Sequence, residues 1–267
     1  MHDIIYLIIF LLVGMTAGIG SGLIGIGGGV IYIPFLYLLL PALGVPDDKL
    51  VFTAIATSLF TALFSSGSSF YNHVKLKNVD YKSALLLASG SIITCFFTPR
   101  IIVNLNPVYP KIILIFSLLV TIVKLLFDRN NIEPSGLKIN NIYLFFFGAL
   151  VGAIASSAGI GGGVFIVPIL SFFFALPFKK AIGTSTFTVF LTLLVSSISY
   201  WIINTSGGGS HSTMGLINLT ASLPMAAGAV VGARIGARLG YRISVKAVKT
   251  VFILYLIFAA VKIITTL

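Results

Sequence analysis

The stretch Gly25-Ile26-Gly27-Gly28-Gly29-Val30-Ile31-Tyr32-Ile33-Pro34 recurs 134 residues later as Gly159-Ile160-Gly161-Gly162-Gly163-Val164-Phe165-Ile166-Val167-Pro168, both times inside a long apolar run. Each glycine costs a helix about 1 kcal/mol relative to Ala. An unpaired backbone group in lipid costs several times that. Such a run at membrane depth is therefore expected to be a helix break, buried in protein or lining a wet cavity. The N–H groups freed at a break, with the positive end of a helix dipole behind them, suit an anion. Upstream, Gly14, Gly18 and Gly22, with Gly148 and Gly152, form small-xxx-small rows, whose ordinary role is close helix packing. Pro34 and Pro168 are expected to kink or end the segments that follow the breaks.

Working outward, the echo continues in the same order. Ala56-Thr57-Ser58-x2-Thr61 meets Gly183-Thr184-Ser185-x2-Thr188 at an offset of 127. Pro99-Arg100-Ile101 meets Ala233-Arg234-Ile235, and Val123-Lys124-Leu125 meets Val261-Lys262-Ile263. The chain is thus two repeats, 1–127 and 141–267, joined by a polar linker at 128–140 that contains Pro134 and Gly136.

Of the 267 residues, 58% are hydrophobic and 9% charged. A soluble domain carries about 25% charged residues, so this chain cannot cover a water-facing globule. Disorder and nucleic-acid binding are excluded on the same ground. Apolar stretches fall at 4–21, 23–40, 51–70, 83–103, 110–127, 141–158, 160–176, 181–203, 214–239 and 245–266. Most approach the roughly 20 residues of a membrane-spanning helix. The fold expected is an all-α polytopic membrane protein, with the glycine runs as broken or re-entrant helices.

The net charge of +11 is topological information, because basic loops stay on the cytoplasmic side. With five segments per half, the loops holding Lys75/Lys77/Lys82, Lys124/Arg129/Lys138, Lys179/Lys180 and Arg234/Arg238/Arg242/Lys246/Lys249 share one side. Asp47/Asp48/Lys49 and the uncharged 204–213 loop share the other, and the loop with Arg100 and Lys111 is the exception. An odd count per repeat predicts two inverted halves, the plan of many secondary transporters, with both termini facing away from the cytoplasm. The N-terminus lacks a basic n-region and reads as a retained first segment.

Candidate site residues follow from this plan. Gly25, Gly27, Gly28 and Gly29, with Gly159, Gly161, Gly162 and Gly163, are read as the substrate-lining breaks. Thr57, Ser58 and Thr61, with Thr184, Ser185 and Thr188, place hydroxyls on one helix face beside them. The competing reading is a bond back to the i−4 carbonyl. Arg100 and Arg234 near the ends of the fourth segments are snorkelling cations that can attract an anion. The row Gly228, Gly232, Gly236, Gly240 reads as a packing face.

Other chemistry is not visible. Gly20–Gly25 satisfies GxGxxG, but without a βαβ unit or a following acidic residue, and no GxxxxGK[ST] occurs. His2, His73 and His211 have no partner at metal-ligand spacing, and Cys95 reads as a small buried hydrophobe. No carboxylate lies within an apolar run, which removes both catalytic pairs and the usual proton carrier. The chain is expected not to be an enzyme and to need no cofactor or metal.

Two repeats, each with a Gly-rich run ending in Pro (Gly25–Pro34, Gly159–Pro168), then a Thr-Ser-x2-Thr element and a small-residue helix ending in Arg, resemble the sulfite exporter TauE/SafE family of membrane permeases. That resemblance implies secondary transport of a sulfur oxyanion or organosulfonate, of the sulfite, sulfoacetate or thiosulfate class, in the cytoplasmic (inner) membrane. The expected partners are a small anion and the lipid bilayer, with no nucleic acid and with homo-oligomerisation left open. An anion channel of the same architecture is the alternative.

Overall fold

A computed structural model describes residues 2–24, 28–127, 140–203 and 213–239, together with positions 253, 254, 256, 257, 260, 261 and 263. Among these the chain forms nine α-helices: α1 (His2–Ile24), α2 (Gly29–Leu39), α3 (Asp47–Lys75), α4 (Tyr81–Val103), α5 (Val108–Phe127), α6 (Ile142–Ala158), α7 (Gly163–Pro168), α8 (Phe178–Ile202) and α9 (Leu219–Leu239). Positions 253–263, where described, are helical. A two-stranded hairpin, β1 (Thr213–Met214) and β2 (Ile217–Asn218), precedes α9. The all-α membrane fold expected from composition is what forms, and α1, α3, α4, α8 and α9 are long and apolar enough to cross a bilayer.

The segments after the breaks are short. α2 has 11 residues and α7 has 6, and α7 runs into a π turn at Ile169–Phe173. At a rise of about 1.5 Å per residue, α2 covers roughly half of a hydrocarbon core about 30 Å thick. The two prolines behave differently: Pro34 sits inside α2, which continues to Leu39, whereas Pro168 is the last residue of α7. Proline withholds an N–H and crowds the preceding turn, and at Pro168 the helix answers by widening.

Two helix seams hold the molecule together, and they are built alike. Along α1 and α9, a Cβ on Gly14 would strike the Met225 carbonyl, and one on Gly228 would strike the Leu11 carbonyl. Along α6 and α4, Gly148 lies against the Leu87 carbonyl and Gly90 against the Phe145 carbonyl in the same way. These glycines therefore bring backbone onto backbone, as small-residue rows do in membranes.

Each seam joins helices from opposite repeats. The first helix of one half packs on the fourth helix of the other, and the third helices α3 and α8 meet through Gly67 against Phe190 and through Phe70 against Phe187 at 4.8 Å between ring centroids. The repeats interlock instead of sitting side by side.

The seams correct one of the internal matches. Gly14 and Gly148 differ by 134, but Gly90 and Gly228, like Leu87 and Met225, differ by 138. Arg100 therefore corresponds to Arg238, one helical turn beyond Arg234, and the match of Pro99-Arg100-Ile101 to Ala233-Arg234-Ile235 is a coincidence of three residues. The α5 pair Val123/Val261 already carries the offset of 138. The connection before α9, with its hairpin, is the longer one, so all positions after it are displaced.

Apolar side chains face outward, for example Ile4, Leu7, Phe116, Leu119, Phe146 and Leu150, while α3 and α8 carry buried hydroxyls. The apolar outer surface is the distribution expected in lipid, around an interior that is itself mainly apolar apart from these hydroxyls.

Candidate functional site

The break between α1 and α2 ends at Gly28, whose φ of +76° places it in the left-handed region open to glycine. Gly25 and Gly27 lie outside the described residues. The second break is described throughout: Gly159, Gly161 and Gly162 have φ of +69°, +81° and +79°. The helices restart identically, with the N–H groups of Ile31 and Tyr32 donating to the Gly28 carbonyl, and those of Phe165 and Ile166 to the Gly162 carbonyl.

The two breaks meet. A Cβ on Gly29 would lie 2.5 Å from the Gly159 carbonyl oxygen and 3.0 Å from the Ile160 carbonyl carbon. Ser58 on α3 bridges them, its Oγ donating to the Gly159 carbonyl at 2.9 Å with the Gly29 carbonyl at 3.2 Å. Backbone contact at Gly29 leaves no space for an ion between it and Gly159 in this conformation.

The other hydroxyls divide into two groups. Thr57 Oγ1 accepts from the Asn218 backbone N–H at 3.0 Å, and Thr184 Oγ1 accepts from the Asp80 N–H at 3.0 Å. Asp80 and Asn218 are the residues just before α4 and α9, so each threonine satisfies the start of the fourth helix of the other repeat. Thr61 bonds back to the Thr57 carbonyl at 2.8 Å, and Thr188 to that of Thr184 at 3.1 Å, which is the ordinary i−4 role. Ser185, fully buried at the position equivalent to Ser58, has no hydrogen-bond partner for its hydroxyl among the described residues.

The hydroxyl rows extend further than the Thr-Ser-x2-Thr elements. Thr57, Thr61, Ser65 and Ser69 on α3 match Thr184, Thr188, Thr192 and Ser196 on α8, all at the offset of 127 and all buried. Four-residue spacing with one offset was a readable signal for the four added positions. Thr192 reaches Ser91 of α4 at 3.0 Å, and Tyr200 donates to the Ser156 carbonyl at 2.9 Å. Cys95 is buried with Sγ 3.3 Å from the Gly152 carbonyl. Ser69 and Ser197, like Ser185, are buried without a hydrogen-bond partner among the described residues. Burying a hydroxyl unpaired costs about 1–3 kcal/mol, so a group of them marks an interior with donors to spare.

The cations stand apart from this centre. Arg100 donates to the Phe96 carbonyl at 2.6 Å and to Ser199 Oγ at 3.1 Å, and it stacks on the Phe96 ring at 4.1 Å. Arg234 is exposed on α9. Among the described residues no three His, Cys, Asp or Glu side chains come together as a metal site.

The family profile described as sulfite exporter TauE/SafE matches residues 10–263. A probable membrane transporter protein of Haemophilus influenzae is 31% identical over 261 residues, covering 96% of this chain and 97% of that protein. Probable membrane transporter proteins of Methanocaldococcus jannaschii and Bacillus subtilis (YunE) are 29% and 30% identical, covering 82% and 73% of this chain and 80% and 78% of theirs. No solved structure matches. With its interlocked membrane helices and a match that runs nearly end to end, this multi-pass chain belongs to the sulfite exporter TauE/SafE family of membrane transporters.

Proposed function

We propose that the chain is a secondary transporter of a small oxyanion, of the sulfur oxyanion or organosulfonate class, working by alternating access across the cytoplasmic membrane. The observation that carries this reading is the meeting of the two Gly breaks at Ser58, within the buried hydroxyl rows of α3 and α8, of which Ser185 has no partner among the described residues. Those hydroxyls donate without carrying charge, and the start of α2 after Gly28 adds a favourable dipole. An oxyanion has several acceptor oxygens and so uses such donors more fully than a monatomic ion does. The substrate contacts proposed are Gly28, Gly29, Gly161, Gly162 and Ser185, with Gly25, Gly27 and Gly163 completing the two repeats. Thr57, Thr61, Thr184 and Thr188 act through the backbone they hold.

The backbone contact at Gly29 and Gly159 favours a carrier over an open channel, because an ion can pass only after the breaks part. The interlocked seams favour moving bodies that are not the two sequence halves. α1 and α3 travel with α9, and α6 and α8 with α4. The sulfur class comes from the family's name as an exporter of sulfite.

Thermal denaturation of the purified full-length protein, with sulfite, thiosulfate, sulfoacetate, sulfate, phosphate and chloride at matched ionic strength, tests this. Ligand at a hundred times its Kd stabilises the folded state by about 2.7 kcal/mol. A selective rise with one sulfur anion is expected. Equal responses to all anions, or to none, would remove the sulfur assignment.

A further inference from the structure

The two repeats match in many of the local details described above, and they differ at the Ser58 and Ser185 pair. Ser58 and Ser185 occupy the same position on α3 and α8, at the offset of 127 shared by the whole hydroxyl row. Both are fully buried. Ser58 holds the first residue of α2, Gly29, and the end of α6, Gly159, by their carbonyls. The residue matching Gly29 in the second repeat is Gly163, the first of α7, and Ser185 has no bond to it or to any other described residue, while the residue matching Gly159 is Gly25, which lies outside the described residues. Around this pair the repeats agree: Gly28 and Gly162 have φ of +76° and +79°, and Thr57 and Thr184 accept equivalent bonds at 3.0 Å.

We propose that Ser58 and Ser185 are alternating latches of the transport cycle. In the conformation seen here Ser58 is closed on the Gly29 and Gly159 carbonyls and Ser185 is open. In the opposite-facing conformation Ser185 closes on the Gly163 carbonyl and Ser58 is released. The inference rests on the alternating-access reading, and it adds which residues set the balance between the two states. Two repeats of one sequence plan can exchange conformations with little net change in energy, because each state then contains one closed and one open latch. A single buried hydrogen bond is then enough to tilt the equilibrium. In this scheme Ser58 is a positioning residue acting through the glycine breaks, and Ser185, a substrate contact while open, becomes one when it closes.

The test uses the full chain in liposomes without any added anion, with Cys95→Ser removing the native thiol. Ala54 and Ala181 are both fully buried, are related by the offset of 127, and lie one turn before Ser58 and Ser185. Maleimide labelling of Ala54→Cys and of Ala181→Cys therefore reports the two latch regions separately. Ser58→Ala is expected to raise labelling at position 54 about fivefold and to lower it at position 181, a population shift the size of one net hydrogen bond. Ser185→Ala is expected to do the reverse, the double variant to return both rates toward the starting values, and Ser58→Thr to behave as the parent. Ser185→Ala removes a hydroxyl that is unbonded here, so it carries the test alone if Ser58→Ala fails to assemble. Changes in the same direction at both cysteines, or no change at either, would overturn the latch exchange while leaving alternating access in place. If neither cysteine labels in the parent or in any variant, with or without the panel anions, alternating access itself falls and the exchange falls with it.

Discussion

Glycine does two different jobs in this molecule, and the seams and the breaks separate them. At the seams, Gly14, Gly90, Gly148 and Gly228 have ordinary helical backbone, and what forbids a side chain is the carbonyl of the facing helix. At the breaks, Gly28, Gly159, Gly161 and Gly162 have positive φ, and the neighbours of an added Cβ are mostly side chains. A seam glycine is a contact surface whose replacement pushes two helices apart. A break glycine is a conformational joint whose replacement strains the chain locally. The first kind is expected to matter for assembly and the second for function, and substitutions can test that division.

The largest effect is expected at the seams. Gly148→Ala places a methyl group into the Leu87 carbonyl and Gly14→Ala one into that of Met225, backbone atoms that cannot step aside as a flexible side chain can. Overpacking costs typically about 1–3 kcal/mol per site. The double variant is expected to lose most of its monodisperse yield and to melt well below the parent by circular dichroism. Unchanged melting would mean that the seams are loose and that the contrast with the breaks is false.

Gly161→Ala comes next, and it sharpens the contrast. An alanine at φ +81° is strained by about 1–2 kcal/mol, yet its Cβ would find Leu193 at 3.4 Å and Val189 at 3.6 Å, which is ordinary contact. Folded yield is expected to survive while anion-dependent stabilisation falls about tenfold in apparent affinity, the equivalent of 1.4 kcal/mol. Gly162→Ala meets Val151 at 2.8 Å and so should lose more stability than Gly161→Ala. Equal loss of folded protein at Gly161 and Gly148 would return the breaks to the packing role.

The sequence carried the helices and the repeat well, because apolar length and recurring Gly, Pro and Thr-Ser positions are local properties. It carried the partnership of the helices poorly. Nothing in the α4 sequence says that Gly90 will face Phe145 of the other repeat and not a helix of its own. The longer loop before α9 shifts the offset to 138, so sequence matching alone sets Arg100 against Arg234, one turn away from its counterpart Arg238. The functional split among the hydroxyls was also out of reach. Thr57 and Ser58 are adjacent, but one accepts from a distant helix start and the other donates to two glycine carbonyls. Such roles depend on what lies 101 and 161 residues away in the chain.

A smaller effect tests the equivalence of the two repeats. Thr57→Val and Thr184→Val each remove the acceptor for an N–H at the start of a fourth helix, the buried one of Asn218 in one case and the part-buried one of Asp80 in the other. Leaving such a donor unpaired costs about 1–3 kcal/mol. The two variants are expected to lower the melting temperature by similar amounts. Asn218 is the more deeply buried of the two, and its side chain also accepts from the Ala221 N–H at 3.0 Å, so any excess should fall on Thr57→Val. A large loss at Thr184 with none at Thr57 would show that the repeats are alike in sequence but not in load.

Arg100→Gln is expected to have the smallest effect, and it decides whether charge near the helix ends takes part in anion selection. The guanidinium is already committed: it donates to the Phe96 carbonyl and to Ser199, and it lies over the Phe96 ring. Ser199 bonds to the same carbonyl at 2.8 Å, so the end of α4 stays tied to α8 when the arginine is gone. An exposed cation–π contact contributes about 0.5–1 kcal/mol, and glutamine keeps part of the hydrogen bonding. Melting should therefore fall slightly, and the concentration dependence of anion stabilisation should change by less than about twofold. A long-range attraction would have a different signature, a loss of affinity that shrinks as salt is raised, because screening removes it in the parent as well. Seeing that salt dependence would place Arg100 with the breaks as part of the anion path; its absence would place it with the seams, as a clamp between α4 and α8.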